Sequence, residues 1–220
     1  MRRMVLSTSV LLTLGLLLCQ AQVTPVVAKR RVVEDVLDSE GRVVSHSEML
    51  GRYLRNSEGS TVTQILSSGG GKTAIHSGQL EDYRRHKIYS LNYEKHEAVE
   101  LVGLPDGPHP EYLANAGSAL GEETVNGFPC LIHSVYVKID GRKKQIGKTY
   151  DSAGYGLRIK EDAVIEPPGG PRTHLVEELY DVSFVEPDPT EFALEKFSFL
   201  EKGPAACAKP GAAPPLESLK

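Results

Sequence analysis

Seven histidines, at positions 46, 76, 86, 96, 109, 133 and 174, are the first residues to weigh for metal or acid–base chemistry. None stands in a His-x-His or His-x-x-x-His pair, so a local zinc motif is missing and any site would have to be assembled from neighbouring strands. His133 interrupts an otherwise apolar alternation, which makes it a candidate base or ligand beside the more ordinary role of a hydrogen-bonded structural histidine. The carboxylate pairs Glu122-Glu123 and Glu177-Glu178 are adjacent in sequence. Adjacent strand residues point to opposite faces, so neither pair could share a proton or flank one bond. No Gly-x-Ser-x-Gly elbow occurs. Ser67-Ser68-Gly69-Gly70-Gly71-Lys72-Thr73 looks like a phosphate loop, but the Walker spacing needs glycine where Leu66 stands, and no strand-to-helix switch follows. A glycine-rich turn between strands is the expectation there. No Cys-x-x-Cys pattern exists, and no catalytic residue, metal or cofactor is assigned. The tyrosines at 53, 83, 89, 93, 136, 150, 155 and 180 suit the lining of an apolar cavity as well as ordinary sheet packing.

The elements that would position these side chains are strands. Leu131, His133, Val135, Val137 and Ile139 alternate with Ile132, Ser134, Tyr136 and Lys138, the two-residue period of a half-buried strand. Asp140-Gly141 predicts a two-residue hairpin turn. That turn sets Ile139 opposite Arg142, Val137 opposite Lys144, Val135 opposite Ile146, His133 opposite Lys148 and Leu131 opposite Tyr150, because opposed residues share a face. Lys138 opposite Lys143 is tolerable only in water. Leu131, Val135, Val137, Ile146 and Tyr150 are therefore the candidate apolar ligand-binding face.

Upstream, strands are expected over Arg31–Leu37, Arg42–Arg55 and Thr61–Leu66. They are separated by Asp38-Ser39-Glu40-Gly41 and Asn56-Ser57-Glu58-Gly59, turns with a side-chain acceptor first and glycine last. Two more strands fall between Leu80 and Val102 around a turn near Asn92–His96. The proline-rich loop from Pro105 to Pro110 follows, and then Glu111–Leu120, whose alanines permit one short helix. Pro167–Pro171 separates two further strands. The alternation of the last, around Val176, Tyr180 and Val182, is imperfect, and Pro187 and Pro189 end it.

The 220 residues are enough for one domain or two small ones, the 40% hydrophobic content supports a real core, and the formal charge of −4 provides no basic field for nucleic acid. Met1-Arg2-Arg3-Met4, the apolar run Val5–Leu18 and Cys19-Gln20-Ala21 have the parts of a secretory signal peptide, cleaved after Ala21 or, as a second candidate, Ala28. The run is too short for a transmembrane helix. Removing residues 1–21 takes Arg2 and Arg3 and leaves 23 basic against 29 acidic residues, a balance of −6. Lipidation of Cys19 is an alternative with Leu18 in place of the usual preceding small residue. Cys130 and Cys207 could bridge in an exported chain, but Cys207 lies in a Pro/Ala/Gly-rich stretch with the composition of a disordered tail, residues 201–220.

The blocks Leu120-Gly121-Glu122-Glu123-Thr124-Val125-Asn126-Gly127, Thr149-Tyr150-Asp151-Ser152 with Gly156-Leu157-Arg158-Ile159-Lys160, and Val182-Ser183-Phe184 with Pro187-Asp188-Pro189-Thr190-Glu191-Phe192 resemble uncharacterised exported bacterial proteins, as does Tyr53–Gly59. Those proteins are distantly similar to the periplasmic lipoprotein-carrier superfamily. The resemblance spans roughly Arg31 to Phe199. It implies an incomplete antiparallel β-barrel, a periplasmic or extracellular location, and a lipid, acyl chain or lipoprotein as partner; no functional residue of the superfamily is carried over.

The expectation is a mainly β protein: a curved antiparallel sheet or half-barrel over residues 22–200 with one or two short helices. Its function would be non-catalytic, carrier-like binding at a concave apolar surface. The alternatives are a cell-envelope interaction module using exposed edge strands, and an enzyme with a dispersed His/carboxylate site.

Overall fold

The computed structural model describes residues 23–69, 72–103, 118–139, 142–166 and 170–200. The expected signal peptide, the tail with Cys207, the Asp140-Gly141 turn and most of the expected helix lie outside them. Twelve strands follow in chain order: β1 (Val26–Leu37), β2 (Val43–Arg55), β3 (Thr61–Gly69), β4 (Lys72–Asp82), β5 (Lys87–Asn92), β6 (Glu97–Gly103), β7 (Gly121–Val125), β8 (Phe128–Ile139), β9 (Arg142–Ser152), β10 (Leu157–Ile165), β11 (Arg172–Ser183) and β12 (Ser198–Phe199). A 3-10 turn, Pro189–Phe192, precedes β12.

All twelve belong to one sheet of order β12-β6-β5-β4-β3-β2-β1-β11-β10-β9-β8-β7. Two meanders, β1 to β6 and β7 to β11, are sewn together where β11 pairs antiparallel with β1. Among the described strands only β12 runs parallel to its neighbour, β6. Among the described residues the two ends of the order do not pair, so the sheet is open and curved, as the expected half-barrel requires. Among the described residues no helix is long and apolar enough to cross a membrane.

Bends have identifiable causes. Register shifts interrupt six pairings, including β1–β11, β3–β4, β8–β9 and β9–β10, and each bulge adds local twist. At Gly147 a Cβ would meet the Asp162 carbonyl oxygen at 2.2 Å, so only glycine permits this approach of β9 and β10.

The two early turns form as their chemistry dictates. The Asp38 carboxylate accepts from the backbone N–H groups of Glu40 and Arg42, both at 2.9 Å, and the Asn56 side chain accepts from those of Glu58 (3.1 Å) and Ser60 (2.9 Å). Gly41 and Gly59 take the left-handed backbone, φ 82° and 90°.

Two clusters make the core. Val26, Ala28, Leu157, Ile159 and Leu179 pack with Cys130 and Tyr150 across the seam. Leu54, Val62, Leu80, Tyr89 and Leu91 are covered by Leu194 and Phe197 of the C-terminal segment. Each fully buried valine, leucine, isoleucine or phenylalanine among them contributes about 1.5–3 kcal/mol. Val26 and Ala28 are almost fully buried, so cleavage after Ala28 would remove the start of β1 and part of the first cluster.

Several expectations are corrected. The first strand starts at Val26, five residues before Arg31, and β4 stands where the sequence shows a glycine-rich turn and little strand pattern. The β8–β9 register holds from Ile139↔Arg142 to Tyr136↔Gln145. It then shifts by one, because Ile146 bulges out: Val135 opposes Gly147, His133 opposes Thr149, Leu131 opposes Asp151, and Ile132 opposes Tyr150. A turn fixes register only as far as the first bulge, and glycine at 147 invites one by letting β10 press in. β11 bulges near Asp181, whose φ is 50°, while the break in its alternation at Glu178 lies in regular register, where Glu178 pairs with Arg31.

Candidate binding site

An open groove of about 500 Å3 lies on β1–β4 and β11, bounded by Val27, Ala28, Lys29, Leu50, Gly51, Arg52, Leu66, Thr73, Tyr180 and Asp181. Pairing explains the arrangement. Leu50 opposes Leu66, while Lys29 is flanked by Arg52 on one side and Tyr180 on the other. Leu50 is 45% exposed, an apolar side chain facing the groove without cover from the described residues. At Gly51 a Cβ would meet the Gln64 carbonyl oxygen at 2.1 Å, so the groove floor depends on bare backbone.

Charges rim the groove and are held. Lys29 Nζ lies 2.7 Å from Asp181 Oδ2 and 5.9 Å from the centre of the Tyr180 ring. The hydrogen bond to Asp181 and then its charge raise the Lys29 ammonium above the usual lysine range. Arg52 donates to Glu191 (3.0 Å) and to Gln64 (3.2 Å), while Gln64 donates to Glu191 (2.8 Å) and to the Tyr93 hydroxyl (3.1 Å). Burial is the main cause that raises the Tyr93 hydroxyl, so it stays protonated as it accepts from Gln64. An apolar floor with a rim of ion-paired side chains suits an amphipathic ligand.

A second line of polar side chains crosses the later strands. Glu161 opposes Glu177, a like-charge pair resolved by two arginines. Arg30 grips Glu177 in a bidentate pair (2.6 and 2.7 Å), and Arg158 bridges Glu161 (2.6 Å) and Asp151 (3.2 Å). Thr149 Oγ1 donates to Asp151 at 2.8 Å. His133, opposite Thr149, is buried, and neither ring nitrogen has a hydrogen-bond partner among the described residues. The expected hydrogen-bonded histidine opposite Lys148 is thus corrected on both counts. The cavity beside this line measures about 130 Å3, too small for an acyl chain, and its walls are mixed, with Leu157, Ile159 and Leu179 beside Arg158, Glu161 and Glu177.

Sequence reasoning missed a third group. Asp35 lies between His46 (Nδ1–Oδ1 2.6 Å) and His174 (Nδ1–Oδ2 4.0 Å), and His174 Nε2 reaches Asp162 Oδ1 at 2.9 Å. The two histidines are remote in the chain and meet only because β2 and β11 both pair with β1, so local spacing held no signal for them. Among the described residues no group of three His, Cys, Asp or Glu is placed to hold a metal.

The five sequence-predicted residues are not among those bounding the groove. Leu131 and Val135 keep one face of β8, partly buried, while the bulge transfers Tyr150 to the face of Ile132 and buries it. Ile146 is the bulged residue. Val137 holds its place on the β8 backbone, opposite Lys144. Cys130 is buried and has no disulfide partner among the described residues, and burial raises its thiol above the usual range.

No protein-family model matches the chain, and no curated protein matches it. Solved structures do. A superfamily protein of the LolA type from Nitrosomonas europaea is 9% identical over 79% of this chain and 91% of its own, with a TM-score of 0.38. A DUF1329 family protein from Desulfovibrio piger is 9% identical over 85% of this chain and 96% of its own, TM-score 0.34. A putative outer membrane lipoprotein-sorting protein domain from Vibrio parahaemolyticus is 9% identical over 76% and 88%, TM-score 0.26. Scores this low assign neither ligand nor activity. Each of these is a protein to which this chain is similar at low identity, and none gives it a family.

Proposed function

We propose that this chain is an exported, non-catalytic binding or carrier-like protein that receives an acyl chain, from a lipid or a lipoprotein, in the groove of β1, β2, β3 and β11. The supporting observation is the open groove of about 500 Å3 with Leu50 and Leu66 on its floor and Lys29 and Arg52 at its rim. Its volume falls within the range of about 300–1,000 Å3 typical of small-molecule sites. The Lys29–Asp181 and Arg52–Glu191 pairs at the rim suit the polar end of such a ligand. Within the same proposal, Leu131 and Val135, which share a face of β8, form a second apolar contact that the alternation of the sequence extends to position 137, while Ile146 and Tyr150 leave it. The compartment is the periplasm or the extracellular space.

Native mass spectrometry of the protein taken from its own exported fraction, before and after denaturation in organic solvent, tests this. An adduct of lipid mass lost on denaturation is the expected result. A clean apo mass, together with failure to bind a fluorescent fatty acid, would overturn it.

A further inference from the structure

One row of side chains crosses the face that holds the groove. Lys29 of β1 stands directly opposite Arg52 of β2 on one flank and Tyr180 of β11 on the other, and Arg52 stands opposite Gln64 of β3. Opposed residues share a face with Cβ atoms about 4.5–5.5 Å apart, so two cations point the same way across one strand gap. A like-charge pair in that position destabilises a sheet, and here each cation is held from outside the pair. Asp181 holds Lys29 from the β11 side, and Glu191 of the 3-10 turn holds Arg52 from the β3 side, where it also accepts from Gln64. Along the row the charges run minus, plus, plus, minus.

The carboxylates leave donors over. Lys29 has three ammonium N–H groups, and Asp181 is its one ion-pair partner among the described residues. Arg52 uses Nη1 for both Gln64 and Glu191, so its Nε and Nη2 have no hydrogen-bond partner among the described residues. The Lys29 side chain is 59% exposed and that of Arg52 35%, and both bound the groove. A phosphate seated between them would take these N–H groups without breaking either ion pair. Asp181 meets Lys29 through Oδ2 and is 63% exposed, which keeps Oδ1 for a second donor. Beside it stands Tyr180, whose ring already has the Lys29 ammonium over it. A carboxylate and an aromatic ring together suit a further ammonium. Because Lys29 and Asp181 are in contact, the two places are neighbours, as the two-carbon link of phosphoethanolamine requires.

We propose that the groove selects a lipid whose head carries both a phosphate and a primary ammonium, with the phosphate between Lys29 and Arg52 and the ammonium on Asp181 beside Tyr180. This selection rests on acyl binding in the groove, and it narrows the ligand from a lipid or a lipoprotein to a zwitterionic phospholipid. A purely anionic head would satisfy the two cations and leave its remaining surface facing Asp181 and Glu191, so the flanking carboxylates supply the discrimination.

The test is displacement of a fluorescent fatty acid from the full chain by lysolipids of one acyl chain, each kept below the concentration at which it forms micelles. Lysophosphatidylethanolamine should bind about fivefold more tightly than lysophosphatidylglycerol, which has the phosphate but no ammonium. It should bind about tenfold more tightly than the monoacylglycerol, which has neither. Asp181 has a left-handed backbone, φ 50°, which asparagine tolerates, so Asp181→Asn should keep the fold and cancel the advantage over lysophosphatidylglycerol. Should that variant misfold, the head-group series on the wild-type chain decides alone. Equal or stronger displacement by lysophosphatidylglycerol or by the monoacylglycerol, or an undiminished preference in Asp181→Asn, would overturn the proposal while leaving acyl binding intact. Failure of the fluorescent fatty acid to bind at all would overturn acyl binding in the groove and the head-group selection with it.

Discussion

Replacing Leu50 tests the groove most directly. Leu50 is 45% exposed and opposes Leu66 on the groove floor. Fully burying a leucine contributes about 1.5–3 kcal/mol, so an acyl chain covering the open part gains about 0.7–1.4 kcal/mol from this one side chain. Leu50→Ala forfeits most of that, a loss of about three- to tenfold in affinity. Leu50→Glu also places a carboxylate that the ligand must desolvate, so its loss should exceed tenfold. Because the side chain is half open, neither change should lower folding stability by more than about 1 kcal/mol. The assay is titration with a fluorescent fatty acid, with thermal melts on the same samples. Val44→Glu is the control, an apolar residue 63% exposed on the same strand that does not bound the groove. Equal weakening by Val44→Glu and Leu50→Glu, or none by either, would refute the assignment of the groove.

Other outcomes follow from the scaffold. Gly147→Ala should destabilise by about 1–3 kcal/mol through collision with β10, whereas Gly154→Ala, with nothing within 4 Å of its Cβ, should leave the urea midpoint unchanged. Arg55 is 2% exposed and donates to the carbonyls of Thr24 (3.0 Å), Gly156 (2.6 Å) and Tyr155 (2.8 Å). Arg55→Met should cost about 3 kcal/mol or more, because charge-assisted bonds to buried carbonyls are lost, and hydrogen exchange should rise first in the β9–β10 turn. The carboxyl groups of Asp38 and Asp188 are held below the usual range, chiefly by backbone N–H groups of Arg42 and Thr190. Their stabilisation is present above the ordinary carboxylate pKa of about 3.9 and lost as the pH falls through the lowered values, so amide exchange near both turns should rise only in strong acid. Burial raises the Cys130 thiol, so its protonated form is favoured by folding. That contribution is lost as pH rises through the raised value, and a thiol reagent at pH 8 should label Cys130 only on unfolding.

Short-range chemistry was legible in the chain itself. The alternation of Leu131 to Ile139, the acceptor-first turns at Asp38 and Asn56, and the prolines after β11 determined a mainly β protein of short-looped strands, because side-chain period and turn geometry are local properties. Tertiary structure decided the rest. The bulge at Ile146, permitted by the bare backbone of Gly147 against β10, moved Tyr150 to the other face and His133 opposite Thr149. The seam of β1 with β11 brought His46, Asp35, His174 and Asp162 into one row, and set Tyr180 beside Lys29 and Leu50 to make the groove. These juxtapositions depend on which remote strands pair and where a ladder slips by one residue. Both are decided by packing between strands, which periodicity within a strand cannot encode.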